Sequence, residues 1–253
     1  MIEITVKSSI DGTEQPNLFY AAKEEGRPLI VGLHTWSYDR NNQVNRMLPI
    51  AIAKDFNLLL PEFRGPNLRS NPFCRDACGS QRAKQDILDA VQYVLESYAV
   101  DAENIFVVGA SGGGTMALLM AAYAPQLWRG VCSFVPITDL GRWYEENPNY
   151  RDAIAACCAG DAGFDAECAA RSPITYSDEI AKATVKIFSG KWDTSVPAHH
   201  GLDLFLKIFA EHPDAKVYFE MFNGGHEMPL GMAFGWVESQ IQQAGKQESQ
   251  VSG

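Results

Sequence analysis

The stretch IFVVGASGGGTMALLM, residues 105–120, decides the fold of this chain and the place to look for chemistry. A short apolar run at residues 105–108 is followed at once by a glycine-rich turn and then by a uniformly apolar segment at residues 116–124. This order predicts a buried strand, a tight turn and a buried helix, with Ser111 at the tip of the turn. The pattern is G-x-S-x-G, in which Gly109 and Gly113 let strand and helix approach closely.

Ser111 is therefore a candidate nucleophile. The turn projects its hydroxyl outward at a strained backbone angle and leaves the Gly112 N–H at a helix N-terminus, where developing negative charge is favoured. The alternative is a glycine-rich turn that carries an incidental serine. A phosphate-binding loop is disfavoured because no Gly-Lys-Ser/Thr sequence follows the glycines.

A serine hydroxyl needs a base to remove its proton, which directs attention to the histidines. The chain has five, and only His226 follows a flexible Asn-Gly-Gly approach after the last predicted strand. We predict that His226 is the base, with helix capping as its alternative role.

The imidazole in turn needs a carboxylate that fixes its tautomer. Asp193 follows directly after a strand-like run at residues 185–188, which gives the chain order Ser, Asp, His. Asp178 and Asp203 are weaker candidates because neither ends a strand. The alternative for Asp193 is an ordinary turn or helix-capping aspartate.

Elsewhere, two antiparallel-prone strands are followed by strictly alternating strands and amphipathic helices, without repeats or a low-complexity linker. This alternation predicts one α/β domain over residues 1–253, with a three-layer, mostly parallel sheet of eight strands and helices on both faces. Ligands in such sheets bind beyond the carboxyl ends of the strands. We expect a small lid after the sixth strand, at about residues 137–176, and a flexible polar tail at about residues 242–253.

The G-x-S-x-G turn, GKWDTSVP at 190–197 and GGH at 224–226, in this order, resemble the α/β-hydrolase superfamily. RG at 64–65, DILDAV at 86–91 and RSPI at 171–174 resemble its prolyl-oligopeptidase-like and dienelactone-hydrolase-like branch, and the similarity covers about residues 27–237. The resemblance implies a Ser111–Asp193–His226 triad. Peptidases of this branch usually carry an N-terminal β-propeller. With about 26 residues before the third predicted strand, we expect no propeller and favour a stand-alone serine esterase.

The oxyanion loop departs from the family pattern. Relatives often have His-Gly-Gly after the third strand, whereas this chain has His34-Thr35-Trp36. We expect the Gly112 N–H to be one oxyanion donor and the Trp36 N–H to be the second. The Thr35 N–H is the next candidate. Tyr38 could donate through its hydroxyl. Alternatively, His34 and Trp36 only pack.

Four aromatic residues on loops at the predicted active end are candidate substrate-binding residues, with lid packing as their alternative role. They are Tyr38, Trp143, Tyr144 and Trp192. For Arg64, a structural salt bridge is favoured over pairing with an acidic substrate group.

The charge composition argues against some classes of binding partner. With 31 acidic against 21 basic residues the formal net charge is −10, which argues against nucleic acid and anionic membranes and favours neutral or cationic substrates over polyanions. The motifs require no cofactor and no metal. The six cysteines match no zinc pattern; Cys74 with Cys78, and Cys157 or Cys158 with Cys168, could pair in an oxidising compartment. A cytoplasmic location is expected, or a secreted or periplasmic one if a signal peptide was removed, and homodimer formation is left open.

The resulting hypothesis is a serine hydrolase that cleaves carboxylic esters of small to medium acyl or aryl groups through an acyl-enzyme. The alternative is an aminopeptidase or acyl-peptide hydrolase, and a less favoured one is a non-catalytic binding protein. A dehalogenase is excluded, because its nucleophile turn carries aspartate where this chain has Ser111.

Overall fold

A single eight-stranded sheet, with strand order β1-β2-β4-β3-β5-β6-β7-β8, organises the chain. The computed structural model describes the backbone of residues 1–251 and the side chains of residues 1–242. The strands are β1 (Ile2–Lys7), β2 (Glu14–Tyr20), β3 (Arg27–Leu33), β4 (Asn57–Leu60), β5 (Val100–Ala110), β6 (Gly130–Phe134), β7 (Val185–Gly190) and β8 (Val217–Phe222). Strand β2 pairs antiparallel with β1 and β4, and all other pairings are parallel. The predicted mostly parallel α/β sheet is confirmed.

Helices cover both faces of this sheet. They are α1 (Val44–Lys54), α2 (Gln81–Ser97), α3 (Gly112–Tyr123), α4 (Leu140–Glu146), α5 (Arg151–Cys157), α6 (Phe164–Ala170), α7 (Ser177–Ile180), α8 (His199–Glu211) and α9 (Leu230–Val251), with 3₁₀ turns at Pro148–Tyr150 and Pro173–Tyr176. Alternate residues of each strand point to opposite faces, so Val107 packs with α2, α3 and α8 whereas Phe106 and Val108 pack with α1 and α9. Both layers of helices bury apolar side chains, which makes the three-layer fold.

The register of the parallel strands brings their carboxyl ends to one edge. Ala110 at the end of β5 pairs with Phe134 of β6, which pairs with Phe188 of β7, and Gly190 pairs with Phe222 at the end of β8. The loops that carry Ser111, Asp193 and His226, which follow β5, β7 and β8, therefore all leave the sheet at this edge.

The segment after β6 folds into a small helical lid made of α4, α5 and α6. Its apolar side chains, among them Leu140, Trp143 and Ile154, form a separate cluster that includes Trp36 of the loop after β3. Trp143 lies edge-on against Trp36 with ring centroids 5.0 Å apart. The lid is thus packed onto the loop that the sequence assigns to the oxyanion hole.

All six cysteines are free thiols in the structure. The Cys158 thiol faces Cys168, as one of the predicted pairings requires. Cys78 instead faces Cys157, while Cys74 lies against the Ala156 carbonyl at 3.7 Å. Mutual contact and burial raise the pKa of the Cys78 thiol.

Arg64 is a structural residue, in agreement with the favoured interpretation. Its side chain is 2% exposed, and its guanidinium binds Asp86 at 2.5 Å and Asp11 at 2.9 Å. Hydrogen bonding to Arg64 holds the pKa of Asp11 well below its usual range. The β1–β2 hairpin is thereby fastened to α2.

Helix α9 continues through Val251, into the segment for which the sequence predicts a flexible tail. That flexibility stays a prediction, and residues 252 and 253 lie outside the described residues. Across the described part of the chain, no helix has the length and apolar character needed to cross a membrane.

Candidate active site

Ser111 sits on a strained turn between β5 and α3. Its backbone angles are φ 56° and ψ −125°, a conformation that a non-glycine residue keeps only where its surroundings enforce it. The surroundings do so here, because the Ser111 N–H donates to Phe134 O at 2.9 Å and its carbonyl accepts from Thr115 N at 2.9 Å. The hydroxyl is thus held at the carboxyl edge of the sheet.

The glycines that flank Ser111 are required by contact between backbones. A Cβ at Gly109 would lie 2.2 Å from Gly113 O, and a Cβ at Gly113 would lie 2.6 Å from His34 O. Any side chain at either position would force strand and helix apart. This is the physical origin of the G-x-S-x-G pattern in this chain.

Asp193 and His226 form a hydrogen-bonded pair. His226 Nδ1 lies 2.7 Å from Asp193 Oδ2, and the aspartate side chain is fully buried whereas the histidine side chain is 32% exposed. The second carboxylate oxygen accepts the backbone N–H groups of Ser195 at 2.8 Å and Val196 at 2.9 Å. Because a carboxylate accepts, Nδ1 donates, which leaves Nε2 as the free basic nitrogen.

Backbone contacts between the loops after β7 and β8 hold this pair together. Trp192 N donates to Gly224 O at 2.9 Å, and a Cβ at Gly190 would lie 2.1 Å from Gly225 O. The Gly-Gly approach to His226 therefore serves close packing of the two loops.

Ser111 and His226 line the same cavity, which has a volume of about 280 Å³. Tyr38, 58% exposed, lies at its wall, as do Trp36 and Tyr150. A larger cleft of about 500 Å³ is lined by residues such as Arg27, Lys54 and Glu238, and its described lining residues include neither Ser111 nor His226. We therefore assign the chemistry to the smaller cavity.

The backbones of Gly112 and Trp36 are in close contact beside Ser111. A Cβ at Gly112 would lie 2.8 Å from Trp36 N, and neither residue's N–H donates to another group within the described part of the chain. Thr35 N instead donates to Asn42 Oδ1 at 3.0 Å. The geometry favours Gly112 with Trp36 as the oxyanion donors over Thr35, whose N–H is already engaged.

The His34 side chain holds the loop after β3 in place. Its ring stacks on Phe63 with centroids 3.8 Å apart, and its nitrogens lie 2.8 Å from Glu62 O and 3.0 Å from Thr35 O. Burial lowers its pKa. The ring thus fastens the loop after β3 to the loop after β4 through its contact with Glu62 O.

Three of the four aromatic residues predicted to bind substrate, Trp143, Tyr144 and Trp192, are not among the residues that line this cavity. Trp143 is 1% exposed and donates its indole N–H to Ser195 O at 2.8 Å, and Tyr144 packs against Phe164. Trp192 is 62% exposed and donates to Asn223 Oδ1 at 3.0 Å. Trp143 and Tyr144 belong to the apolar cluster of the lid. Substrate binding by these three residues stays a prediction.

The sequence reasoning missed cavity residues from α1 and from the 3₁₀ turn of the lid. They are Gln43, Arg46 and Tyr150, with Glu227 and Met228 from the loop after His226. None belongs to a motif. The only available signal was that α1 directly follows the oxyanion loop.

With this geometry established, comparison with known proteins identifies the family. Residues 42–233 match the family model described as the prolyl oligopeptidase family. This chain belongs to that family of serine hydrolases. The resemblance seen in the sequence is therefore confirmed.

Among curated relatives of this family member are acylamino-acid-releasing enzymes. The chain is 26% identical over 213 residues to acylamino-acid-releasing enzyme 1 of Oryza sativa subsp. japonica. This alignment covers 76% of this chain and 27% of the rice protein. The human acylamino-acid-releasing enzyme is 24% identical, with 70% and 26% covered. The chain thus spans about a quarter of the length of these relatives.

Solved structures share the fold at lower identity. The acylaminoacyl peptidase of Pyrococcus horikoshii superposes with a TM-score of 0.72 at 19% identity, covering 89% of this chain and 37% of the other. Fluorophosphonate-binding serine hydrolase F of Staphylococcus aureus gives a TM-score of 0.74 at 14% identity, covering 93% and 97%. Both likenesses support the α/β-hydrolase fold of this family member.

Proposed function

We propose that this protein hydrolyses carboxylic esters of small to medium acyl or aryl groups through an acyl-enzyme on Ser111. The observation that carries the proposal is the buried Asp193 carboxylate 2.7 Å from His226 Nδ1, with Ser111 and His226 on one cavity wall. A nucleophile, a base and an orienting carboxylate are the parts that acyl transfer requires.

In the proposed mechanism, His226 Nε2 accepts the Ser111 proton as Oγ attacks the ester carbonyl. The Gly112 and Trp36 N–H groups stabilise the oxyanion, and Asp193 stabilises the imidazolium. His226 then protonates the departing alcohol. Because the His226 side chain is 32% exposed, water can reach it for deacylation of Ser111. The imidazole again acts as base in that second half of the reaction.

Ser111 Oγ makes no hydrogen bond to His226 among the described residues, although both line the cavity. Such bonds are often long without substrate and tighten in the reacting complex. The roles are therefore assigned from the shared cavity and the strained turn.

A second candidate is the release of acylated amino acids from peptides, which the names of the curated relatives favour. The same nucleophile, base and oxyanion donors would serve it. An amine is a poorer leaving group than an alcohol or phenol, so peptide cleavage depends more strongly on protonation by His226.

Labelling with a fluorophosphonate probe, with mass spectrometric mapping, tests the nucleophile. We expect one label on Ser111 and none on the Ser111→Ala variant. Hydrolysis of 4-nitrophenyl butyrate and of N-acetyl-alanine 4-nitroanilide, measured side by side, separates the two candidates. Turnover of the ester without measurable turnover of the anilide supports the main proposal, and a kcat/KM for the anilide comparable to that for the ester supports the second. Ligand binding without labelling or turnover would contradict both.

A further inference from the structure

Arg46 lies at the wall of the cavity that contains Ser111 and His226. Its Nη2 donates to Met228 O at 2.8 Å, two residues beyond His226. A guanidinium carries five N–H donors in a planar fork, so this one bond orients the exposed Arg46 side chain and leaves other donors available. The cation is therefore held beside the proposed base.

Within the described residues Arg46 has no carboxylate partner, which sets it apart from most arginines of the chain. Eight others have one within 4.0 Å, namely Arg27, Arg40, Arg64, Arg69, Arg82, Arg142, Arg151 and Arg171. In a chain with a formal net charge of −10, carboxylates are abundant. Of the arginines without such a partner, which are Arg46, Arg75 and Arg129, only Arg46 lines the catalytic cavity.

The position of Arg46 in α1 is unfavourable for a cation. It lies in the first turn of the helix, where the helix dipole favours negative charge. This turn contains no acidic residue, and Gln43 before it makes no capping hydrogen bond with its side chain. Local stability therefore does not explain the arginine, and departures of this kind are typical of functional positions.

The other charged group at the cavity wall, Glu227, is turned toward its own loop. Its Oε1 accepts the Gly225 N–H at 3.3 Å and would lie 2.3 Å from a Cβ at Gly224. It makes no ion pair with Arg46. The positive charge of Arg46 is thus not neutralised by this neighbour.

We propose that Arg46 is a specificity-determining residue that binds a carboxylate carried by the ester substrate. The inference rests on the proposed ester hydrolysis at Ser111 and names a substrate class for it. A carboxylate matches the fork of the guanidinium with two parallel hydrogen bonds. The net charge of −10 has little effect on an anionic substrate bound at Arg46. Salt screens charges that lie more than about 8 Å away at physiological ionic strength.

Two matched pairs of esters test the proposal and locate the carboxylate. Comparing monoethyl adipate with diethyl adipate tests a carboxylate on the acyl side of the ester. Comparing 4-acetoxybenzoate with its methyl ester tests a carboxylate on the leaving group. For the preferred pair we expect kcat/KM of the anionic ester to exceed that of the neutral one. In Arg46→Gln the ratio should fall about tenfold or more, since a charge-assisted pair is lost.

Arg129→Gln is the matched control. Arg129 also lacks a carboxylate partner among the described residues and also donates to a backbone carbonyl, that of Gln240 at 3.3 Å, but it lies outside the catalytic cavity. This variant should keep the wild-type ratio. Raising the salt concentration should reduce the preference in the wild type more than in Arg46→Gln.

An unchanged ratio in Arg46→Gln, or wild-type preference for the neutral member of both pairs, would overturn the inference. Either result leaves ester hydrolysis standing, provided that Ser111→Ala abolishes it. Absence of hydrolysis of all four esters would instead overturn the proposed function itself.

Discussion

Asp193 holds His226 at one nitrogen and is itself held at its other oxygen. The Oδ2–Nδ1 distance is 2.7 Å, and Oδ1 accepts backbone N–H groups from Ser195 and Val196. The carboxylate therefore cannot rotate away from the imidazole without losing two hydrogen bonds. Trp143 of the lid supports the same loop by donating to Ser195 O at 2.8 Å.

Replacing Asp193 by Asn should lower kcat for 4-nitrophenyl butyrate by about 10³–10⁴-fold, because an amide N–H facing Nδ1 favours the wrong imidazole tautomer. Circular dichroism should show an unchanged fold. Asp203→Asn is the control, since the Asp203 side chain is 41% exposed and its ion pair is with Arg142, outside the cavity. Equal losses in the two variants would contradict the assignment of Asp193.

Gly112→Ala should disturb the oxyanion donors. Its Cβ would lie 2.8 Å from both the Cα and the N of Trp36, so the loop after β3 must shift away. Loss of one donor costs kcat about 10²–10³-fold. We expect KM to change far less than kcat, and steady-state kinetics with 4-nitrophenyl butyrate checks this.

The control for that substitution is Gly231→Ala in α9, where a Cβ would meet nothing within 4 Å. It should leave kcat unchanged and should not destabilise the fold, because alanine is the better helix former by about 1 kcal/mol. A Gly112→Ala enzyme with wild-type kcat would rule out the oxyanion assignment.

The grouping of Ser111, Asp193 and His226 at one edge of the sheet could be predicted from the sequence, because each residue follows a strand and is flanked by residues whose sterics leave few alternatives. Gly109 and Gly113 show this directly, since backbone atoms occupy the space that a side chain would need. The positions of Trp143 in the lid cluster and of Arg46 at the cavity wall could not be predicted. Whether a loop aromatic faces a cavity or a small lid core depends on packing between segments distant in sequence, and no local pattern records it.

Asp86→Ala should lower the free energy of unfolding by about 3–5 kcal/mol, because it leaves the Arg64 guanidinium buried with one carboxylate removed. The Asp86 side chain is 1% exposed and lies 2.5 Å from Arg64 Nε. Urea denaturation measures the change. Asp152→Ala, which removes a pair with Arg69 that is 65–70% exposed, should cost less than 1 kcal/mol. Similar losses in both variants would contradict the structural role of Arg64.

Protonation of His200 should destabilise the protein in mild acid. Its side chain is 1% exposed at the start of α8, with Glu146, His199 and Arg142 as its charged or titratable neighbours, and burial lowers its pKa to about 4. The unfolded chain, with the ordinary value near 6.5, binds the proton first. Stability therefore falls as pH drops from about 6.5 toward 4, by about 2 kcal/mol between pH 7 and pH 5 from this residue alone.

Urea denaturation at pH 7 and pH 5 checks the contribution of His200. His200→Gln should lose about 2 kcal/mol less than the wild type between these two pH values, whatever its absolute stability. Burial lowers the pKa of His34 in the same direction, so part of the pH dependence should remain in the variant. His212→Gln is the control, because its side chain is 40% exposed and pairs only with Asp178 at the surface. If His200→Gln and His212→Gln kept the wild-type pH dependence alike, the buried neutral state of His200 would be refuted.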